Sequence, residues 1–203
     1  MSIHIKICGI TDLAVARVAV DAGADSIGFV LACSVREISP TLASAIAAKL
    51  PATVESVAVF RDPSRDDIER ALAVFTAHVV QADHRSLSGA ECRRRLPVFR
   101  ETVDSLEGVA KYIDGDRFVY EGRRSGIGHV VDWELAAEVS RLGQMTLAGG
   151  LHQDNVGEAI RMVRPFGVDV SSGVESRFGL KDPARIRAFV EAVREAEKDL
   201  VRV

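Results

Sequence analysis

His4 to Thr11, HIKICGIT in one-letter code, has the pattern of a β-strand that ends abruptly. Its two isoleucines alternate with Lys6 and Cys8, so the apolar and polar side chains point to opposite faces. Gly9 breaks the run, and Thr11 is predicted to cap the helix that follows. If the face with Lys6 is enclosed, its ammonium favours a thiolate, and Cys8 becomes a candidate base or nucleophile. The alternative is that Cys8 is simply a small core residue.

Short apolar strands alternate with helical patterns along the whole chain, which is typical of parallel strands joined by crossover helices. After the first strand, the predicted strands are Asp25–Leu31, Glu55–Phe60, Ala77–Gln81, Pro97–Val103, Arg117–Glu121, Gln144–Ala148 and Gly167–Ser171. Helix starts are predicted at Ser39-Pro40, Ser64, Asp132, Asp154 and Asp182-Pro183, with a basic helix around Glu91–Arg95.

Eight strand–helix units in 203 residues predict a single-domain (β/α)8 barrel that spans residues 1–203. The chain is short for this fold, which typically takes ~250 residues. The alternative is an open doubly wound sheet. The first turn lacks the Gly-x-Gly-x-x-Gly pattern of such sheets when they bind dinucleotides, which favours the barrel.

Composition excludes several classes of function. The formal net charge of −3 argues against a nucleic-acid or membrane-surface partner. The N-terminus lacks the basic and apolar regions of a signal peptide, and no run is long enough to span a membrane, so a cytoplasmic location is expected. The three cysteines, Cys8, Cys33 and Cys92, lack metal-site spacing, which predicts neither a zinc site nor a disulfide scaffold.

Polar side chains stand near the ends of four predicted strands, where the βα loops of a barrel carry its chemistry. They are Cys8 on the first strand, Gln81 on the fourth, Glu121 on the sixth and Asp169 on the eighth. Any one of them could be a satisfied core group, a helix cap or a solvated rim residue. Because the carboxyl ends of all eight strands meet at one rim, their joint placement predicts an active site there.

Glycines and serines follow the last two predicted strands. Gly149 and Gly150 come after the seventh strand, and Ser171, Ser172 and Gly173 come at the end of the eighth. Glycine lets backbone N–H groups approach a ligand closely, and a short helix near Ser172 would direct its positive end inward. Loops after strands seven and eight are the usual phosphate site of such barrels, so a phosphorylated ligand is predicted.

Several of these stretches together resemble one family, the phosphoribosylanthranilate isomerases of tryptophan biosynthesis. The resemblance covers nearly the whole chain and is carried by Lys6–Thr11, Gly28–Val30, Arg36, Ile38–Pro40, Val57–Phe60, Val131–Trp133, Leu147–Leu151, Asn155–Val156 and Gly167–Glu175. The first and last of these stretches are specific motifs rather than general barrel features.

The resemblance implies a cofactor-free Amadori rearrangement. N-(5-phosphoribosyl)anthranilate, an aminoaldose, would become the 1-deoxyribulose 5-phosphate aminoketose. A general acid would protonate the furanose oxygen and open the ring to a Schiff base, and a general base would then remove the C2 proton. Such a reaction needs one acid and one base, and it needs no metal or redox group.

By position, the resemblance places the base on Cys8 and the acid on Glu121. Arg36 matches the residue that contacts the anthranilate part. The expected substrate-binding residues are Lys6, Arg36, Gln81 and Asp169, and the expected phosphate-binding residues are Gly149, Gly150, Ser171, Ser172 and Gly173. The expected partner is a phosphorylated small molecule, with no cofactor, metal, nucleic acid or membrane, and the chain is expected to be a monomer or homodimer.

Three active-side loops differ from the family pattern. The family usually has aspartate at the position of Glu121, followed by a longer glycine-rich loop. After the fourth strand, Gln81–His84 displaces or loses the family's histidine, and Ser34–Glu37 replaces the usual Ser-Pro-Arg-Tyr. Arg123 and Arg124 in the shortened loop are interpreted as solvated charges; the alternative is that one of them binds a substrate carboxylate bidentately.

Two other functions remain open. The same rearrangement could act on the related aminoaldose of histidine biosynthesis, alone or in addition. Enzymes of that kind typically pair two aspartates, so Cys8 on the first strand speaks against it. The other alternative is a decayed, non-catalytic barrel that still binds a sugar phosphate. Retention of an acid-capable and a base-capable residue weighs against that alternative.

Overall fold

A closed barrel of eight parallel strands forms the centre of the protein. The structure, a computed structural model, describes residues 2–87, 94–101, 103–113, 116–122 and 130–201. The strands pair in chain order, and the first closes the ring on the eighth. They are β1 (His4–Cys8), β2 (Ser26–Val30), β3 (Glu55–Val59), β4 (Val79–Asp83), β5 (Arg95–Arg100), β6 (Arg117–Glu121), β7 (Gln144–Leu147) and β8 (Gly167–Val170). The predicted (β/α)8 barrel is confirmed.

A helix follows each of the eight strands. The helices are α1 (Leu13–Ala22), α2 (Pro40–Ala47), α3 (Arg65–Leu72), α4 (His84–Leu87), α5 (Leu106–Tyr112), α6 (Trp133–Ser140), α7 (Val156–Val163) and α8 (Pro183–Val201). Within the described ranges, none of them combines the length and the apolar composition needed to cross a membrane.

The helix starts follow the predicted capping residues, with two corrections. α7 begins at Val156, after Asn155, and not at Asp154 as predicted. Ser39, Ser64 and Asp132 cap α2, α3 and α6 as predicted, each by accepting a hydrogen bond from a backbone N–H of the first turn. The predicted cap Thr11 is wrong. Asp12 caps α1, because its carboxylate lies 2.9 Å from the amide nitrogen of Val15, three residues further on.

Side chains alternate between the barrel interior and the layer under the helices. On β1, Ile5 and Ile7 join the core between strands and helices, whereas Lys6 and Cys8 face the interior, as predicted. A separate apolar cluster fills one side of the interior and consists of Val57, Val79, Leu96, Val98, Val119 and Ala148. The β1–β8 side carries the polar pair of Lys6 and Asp169 instead.

Three predicted boundaries on the β4–β5 side are wrong. β4 runs two residues past Gln81 to Asp83, and β5 ends at Arg100 rather than Val103. Arg95 begins β5, so it cannot end a basic helix around Glu91–Arg95, and the rest of that predicted helix lies mostly outside the described residues. The shift matters because it changes which side chains stand at the rim.

A short hairpin after β8 was not predicted. A 3₁₀ turn over Ser172–Val174 leads into β9 (Glu175–Arg177), which pairs with β10 (Leu180–Lys181) in antiparallel fashion. Gly179, with φ +84°, makes the turn, and its position lies against Val35 of the loop after β2.

The last helix fastens the first strand. The backbone N–H of Ile3 donates to the carboxylate of Glu197, and Arg194 Nη1 donates to the carbonyl oxygen of Ile3 at 2.9 Å. Arg194 Nη2 also donates to the carbonyl oxygen of Gly23 at 3.2 Å. α8 therefore holds both ends of the first strand–helix unit.

Candidate active site

A pocket opens at the carboxyl ends of the strands and contains most of the predicted site residues. Those that line it are Cys8, Arg36, Gln81, Glu121, Gly149, Gly150, Asp169, Ser171 and Ser172. Lys6 and Gly173 were predicted as ligand-binding residues but do not line the pocket. The lining also includes Arg61 and Arg100, which the sequence analysis did not identify.

The Cys8 thiol lies against two polar neighbours. Cys8 is 8% exposed, and its pKa is lowered by the ammonium of Lys6 and raised by the carboxylate of Asp169. Burial raises the pKa of the Cys8 thiol above its ordinary value, and the ammonium of Lys6 opposes this only in part. Lys6 favours the thiolate, as expected from the sequence, but the net shift of the pKa is towards the protonated thiol. The desolvation of the site outweighs the neighbouring charge.

Lys6 is a buried partner of Asp169 beneath the pocket. It is 1% exposed, and its Nζ donates to Asp169 Oδ2 at 2.8 Å. Burial opposes it, but the charge and hydrogen bond of Asp169 raise the pKa of Lys6, so it stays an ammonium. Lys6 therefore fixes Asp169 and places a positive charge near the thiol.

Gly28 on β2 makes room for this arrangement. A Cβ at Gly28 would lie 2.9 Å from Cys8 Sγ, 3.1 Å from Cys8 Cα and 3.2 Å from Lys6 Nζ. The first distance is shorter than side chains tolerate, and the other two are tight. The thiol and the ammonium are thus packed against a bare backbone.

Two buried side-chain oxygens in the pocket have no hydrogen-bond partner among the described residues. Asp169 Oδ1 and Gln81 Oε1 accept no hydrogen bond from any described residue, although both side chains are more than nine-tenths buried. Buried acceptors of this kind need a donor. The hydroxyl groups of a sugar would supply such donors.

Glu121, at the end of β6, is paired with Arg100 at the end of β5. Arg100 Nη1 donates to Glu121 Oε1 at 2.5 Å, and Arg100 Nε lies 3.7 Å from Asp83 Oδ2. Arg100 and Glu121 are register partners in the barrel. Neither pairing was anticipated, because β5 was predicted to run past Arg100 and β4 to stop before Asp83.

The loops after β7 and β8 have the backbone expected of an anion site. Gly149 and Gly150 have φ +96° and +65°, a conformation that favours glycine, and neither amide N–H donates to another described residue. Gly173 serves a different purpose. A Cβ there would lie 1.9 Å from the carbonyl oxygen of Leu151, so the two loops touch only because this residue is glycine.

Arg36 reaches the pocket from the loop after β2 and is held from behind. Its Nε and Nη2 donate to the two carboxylate oxygens of Glu175 at 2.6 and 2.9 Å. Glu175 also accepts from Lys181 Nζ at 2.7 Å. In the sequence, Glu175 stands out only as part of a motif, and nothing points to Lys181. Their separation from Arg36 along the chain left no local signal.

Two further points concern the arginines predicted in the loop after β6 and the possibility of a metal site. Arg123 and Arg124 lie outside the described residues. Within the described part of the chain, no group of three or more His, Cys, Asp or Glu side chains is placed to hold a metal ion.

Comparison with known proteins decides the family. The family profile of N-(5'-phosphoribosyl)anthranilate (PRA) isomerase matches residues 5–192. The chain belongs to this family. An isomerase of Desulforudis audaxviator with that name is 43% identical over 203 residues, which cover 95% of this chain and 98% of the relative. One of Oceanobacillus iheyensis is 37% identical over 205 residues, covering 98% and 99%.

Solved structures of the family share the barrel. The phosphoribosyl anthranilate isomerase of Thermus thermophilus superposes with a TM-score of 0.86 at 29% identity, covering 95% of this chain and 99% of that one. A family member solved in complex with reduced 1-(o-carboxyphenylamino)-1-deoxyribulose 5-phosphate has a TM-score of 0.80 at 31% identity, with the same coverage. The activity of the chain is therefore the isomerisation of N-(5'-phosphoribosyl)anthranilate in tryptophan biosynthesis.

Proposed function

We propose that Cys8 is the general base and Glu121 the general acid of this Amadori rearrangement. Glu121 gives a proton to the furanose oxygen, and the ring opens to a Schiff base. The Cys8 thiolate then removes the C2 proton to give an enolamine, which tautomerises to the ketone. The observation that carries the proposal is that both side chains line one pocket, so a single sugar contacts both.

The rest of the pocket accounts for the other parts of the substrate. The phosphate lies at the amide groups of the loops after β7 and β8, at Gly149, Gly150, Ser171 and Ser172, and Gly173 lets the two loops touch behind it. The sugar hydroxyls donate to the unpartnered oxygens of Asp169 and Gln81. Arg36 binds the anthranilate carboxylate, because a guanidinium matches the geometry of a carboxylate.

Lys6 contributes indirectly in this proposal. It lies behind Asp169 rather than in the pocket, so it orients the carboxylate that meets the sugar. Its ammonium also lowers the pKa of Cys8 against the effect of burial. Lys6 is therefore a positioning residue and does not touch the substrate.

The protonation states give the proposal a pH dependence. A base must lose its proton before it acts, and burial raises the pKa of the Cys8 thiol. The rising limb of kcat/KM with pH therefore lies on the alkaline side of the ordinary thiol range. Glu121, the proposed proton donor, is in contact with the guanidinium of Arg100.

The proposal extends to location and assembly. A biosynthetic enzyme with a small net negative charge and a small phosphorylated substrate works in the cytoplasm, without nucleic acid or membrane. The chain acts as a monomer or homodimer. In support, a solved family member from Thermotoga maritima is described as dimeric and was converted to monomers.

The decisive experiment is a fluorescence assay of the purified protein with phosphoribosylanthranilate. Cys8→Ala and Cys8→Ser should both fold and lose at least the ~100-fold that a positioned acid or base supplies, because a serine hydroxyl ionises too weakly to replace the thiol. Near-native turnover in Cys8→Ala would exclude the thiol as base. Turnover of the related aminoaldose of histidine biosynthesis, measured in parallel, tests the alternative substrate.

A further inference from the structure

Arg36 is held in one orientation by a carboxylate that is itself buried. Glu175 is 5% exposed, and its two oxygens accept hydrogen bonds from Nε and Nη2 of Arg36. This bidentate contact fixes the plane of the guanidinium. The ring of Phe178 covers the other side of the group, with Arg36 Cζ 4.9 Å from its centroid. A carboxylate approaching from the pocket thus meets a preset donor.

A pair of Arg36 and Glu175 alone would be electrically neutral, and a neutral pair attracts an anion weakly. Lys181 changes this. Its Nζ lies 2.7 Å from Glu175 Oε1, and both partners are almost fully buried. With the second cation the three side chains carry a net charge of +1, which the carboxylate of a substrate would neutralise.

Lys181 is held as an ammonium by three acceptors. Besides Glu175, its Nζ donates to the carbonyl oxygen of Ser171 at 2.9 Å and to Ser171 Oγ at 3.1 Å. An ammonium has three protons to donate, and each meets an acceptor here. Burial lowers the pKa of Lys181 below its ordinary value, and the hydrogen bond and charge of Glu175 oppose this in part. In turn, the hydrogen-bond partners hold the pKa of Glu175 down at about 2 despite its burial.

The same contacts connect three parts of the site. Ser171 belongs to the loop assigned to the phosphate, and its Oγ donates to the carbonyl oxygen of Cys8 at 3.1 Å. Lys181 is therefore linked to Arg36 through Glu175, and to the backbone of Cys8 through Ser171. Removing the charge of Lys181 should weaken binding of the substrate carboxylate, whereas removing its hydrogen bonds should disturb the position of the phosphate loop.

We infer that Glu175 and Lys181 are positioning residues that set the orientation and the net charge of Arg36, and that Lys181 determines the preference for a carboxylate-bearing substrate. The inference rests on the proposed role of Arg36 in binding the anthranilate part. The two residues have different tasks. Glu175 fixes the orientation of the Arg36 guanidinium, and Lys181 compensates the negative charge of Glu175.

The test compares two substrates that share the phosphate and the sugar. One is phosphoribosylanthranilate, and the other is the same adduct of aniline, which lacks the carboxylate. The readout is the ratio of their kcat/KM values, in which effects on the phosphate loop or on chemistry cancel. Wild type should prefer the anthranilate substrate, and Arg36→Ala supplies the reference in which that preference is lost.

Lys181→Met makes the cluster neutral and should lower the ratio about tenfold or more, which is the size of a single lost ionic contact in a partly dry site. The double variant Glu175→Gln with Lys181→Met restores the net charge of +1 and should recover part of the ratio. Recovery is only partial, because glutamine has one acceptor oxygen where Glu175 offers two to Arg36. A purely structural role predicts the reverse order, because the double variant loses more contacts.

The possible results distinguish a failure of the proposed role of Arg36 from a failure of the inference about Lys181. No wild-type preference for the anthranilate substrate would overturn the role of Arg36 and with it the premise. A wild-type preference that Lys181→Met leaves unchanged would overturn the inference alone. If Lys181→Met does not fold, the double variant carries the test, and a ratio as low as that of Arg36→Ala would overturn the inference.

Discussion

Replacing Gly28 by alanine adds one methyl group at the point where the Cys8 thiol is packed. The added Cβ would lie 2.9 Å from Cys8 Sγ, whereas ordinary contacts begin at 3.4 Å, so the sulfur has to retreat by about half an ångström. The backbone offers little relief, because Cys8 Cα is only 3.1 Å away. Gly28 is outside the left-handed region, so strain of φ plays no part.

The size of the effect follows from that displacement. A misplacement of ~1 Å can cost about 100-fold in rate, so half that distance predicts a loss of about tenfold in kcat. Overpacking a tight interior costs typically 1–3 kcal/mol, which predicts a lower free energy of unfolding. The shift of Lys6 Nζ, 3.2 Å from the added atom, also moves the ammonium that opposes the raised pKa of the thiol.

Steady-state kinetics over a pH series and urea unfolding check this prediction. Gly157→Ala on α7 is the matched control, because its Cβ would meet nothing closer than 3.6 Å and alanine should stabilise the helix by roughly 0.5–1 kcal/mol. Gly28→Ala with wild-type kcat and an unshifted pH profile would refute the reasoning, since the thiol would then tolerate displacement or not be the base.

Three further predictions concern other parts of the molecule. Glu121→Gln should lower kcat by at least ~100-fold and leave binding of a product analogue intact; full activity would move the proton donor to another carboxylate such as Asp83. Gly173→Ala should weaken the affinity for product in calorimetry by about tenfold or more, because its Cβ falls 1.9 Å from the Leu151 carbonyl oxygen; unchanged affinity in a folded variant would exclude the loop. Burial, assisted by a neighbouring arginine, lowers the pKa of His4 below its ordinary 6.5, so below pH 6.5 the unfolded chain binds more protons than the folded one. The free energy of unfolding, measured by urea titration, should therefore fall as the pH drops below 6.5, and it should fall less in His4→Asn. A difference between wild type and His4→Asn that does not change with pH would contradict this.

The parts of the fold that the sequence predicts are those with a local cause. Alternation along β1 sends Lys6 and Cys8 inward, and that depends only on the two-residue period of a strand. The glycines after β7 have positive φ, which a glycine pair at a strand end favours. The helix caps at Ser39 and Ser64 are equally local.

The contacts that the sequence could not predict join distant segments. Arg100 meets Glu121 because β5 and β6 are in register, and that register is fixed only when the barrel closes. Arg36 follows β2 and Glu175 follows β8, so these two residues also come into contact only when the barrel closes. The direction of the shift in the pKa of Cys8 required the extent of its burial, which composition and spacing do not contain.

The attachment of β1 to the end of the chain has a consequence for synthesis. The strand that carries Cys8 pairs with β8, and Ile3 is fastened by α8, so both covering elements are made after the thiol. Until they have been synthesised and packed, the Cys8 thiol of a nascent chain is exposed to oxidants. Burial of the thiol in the folded barrel ends that exposure.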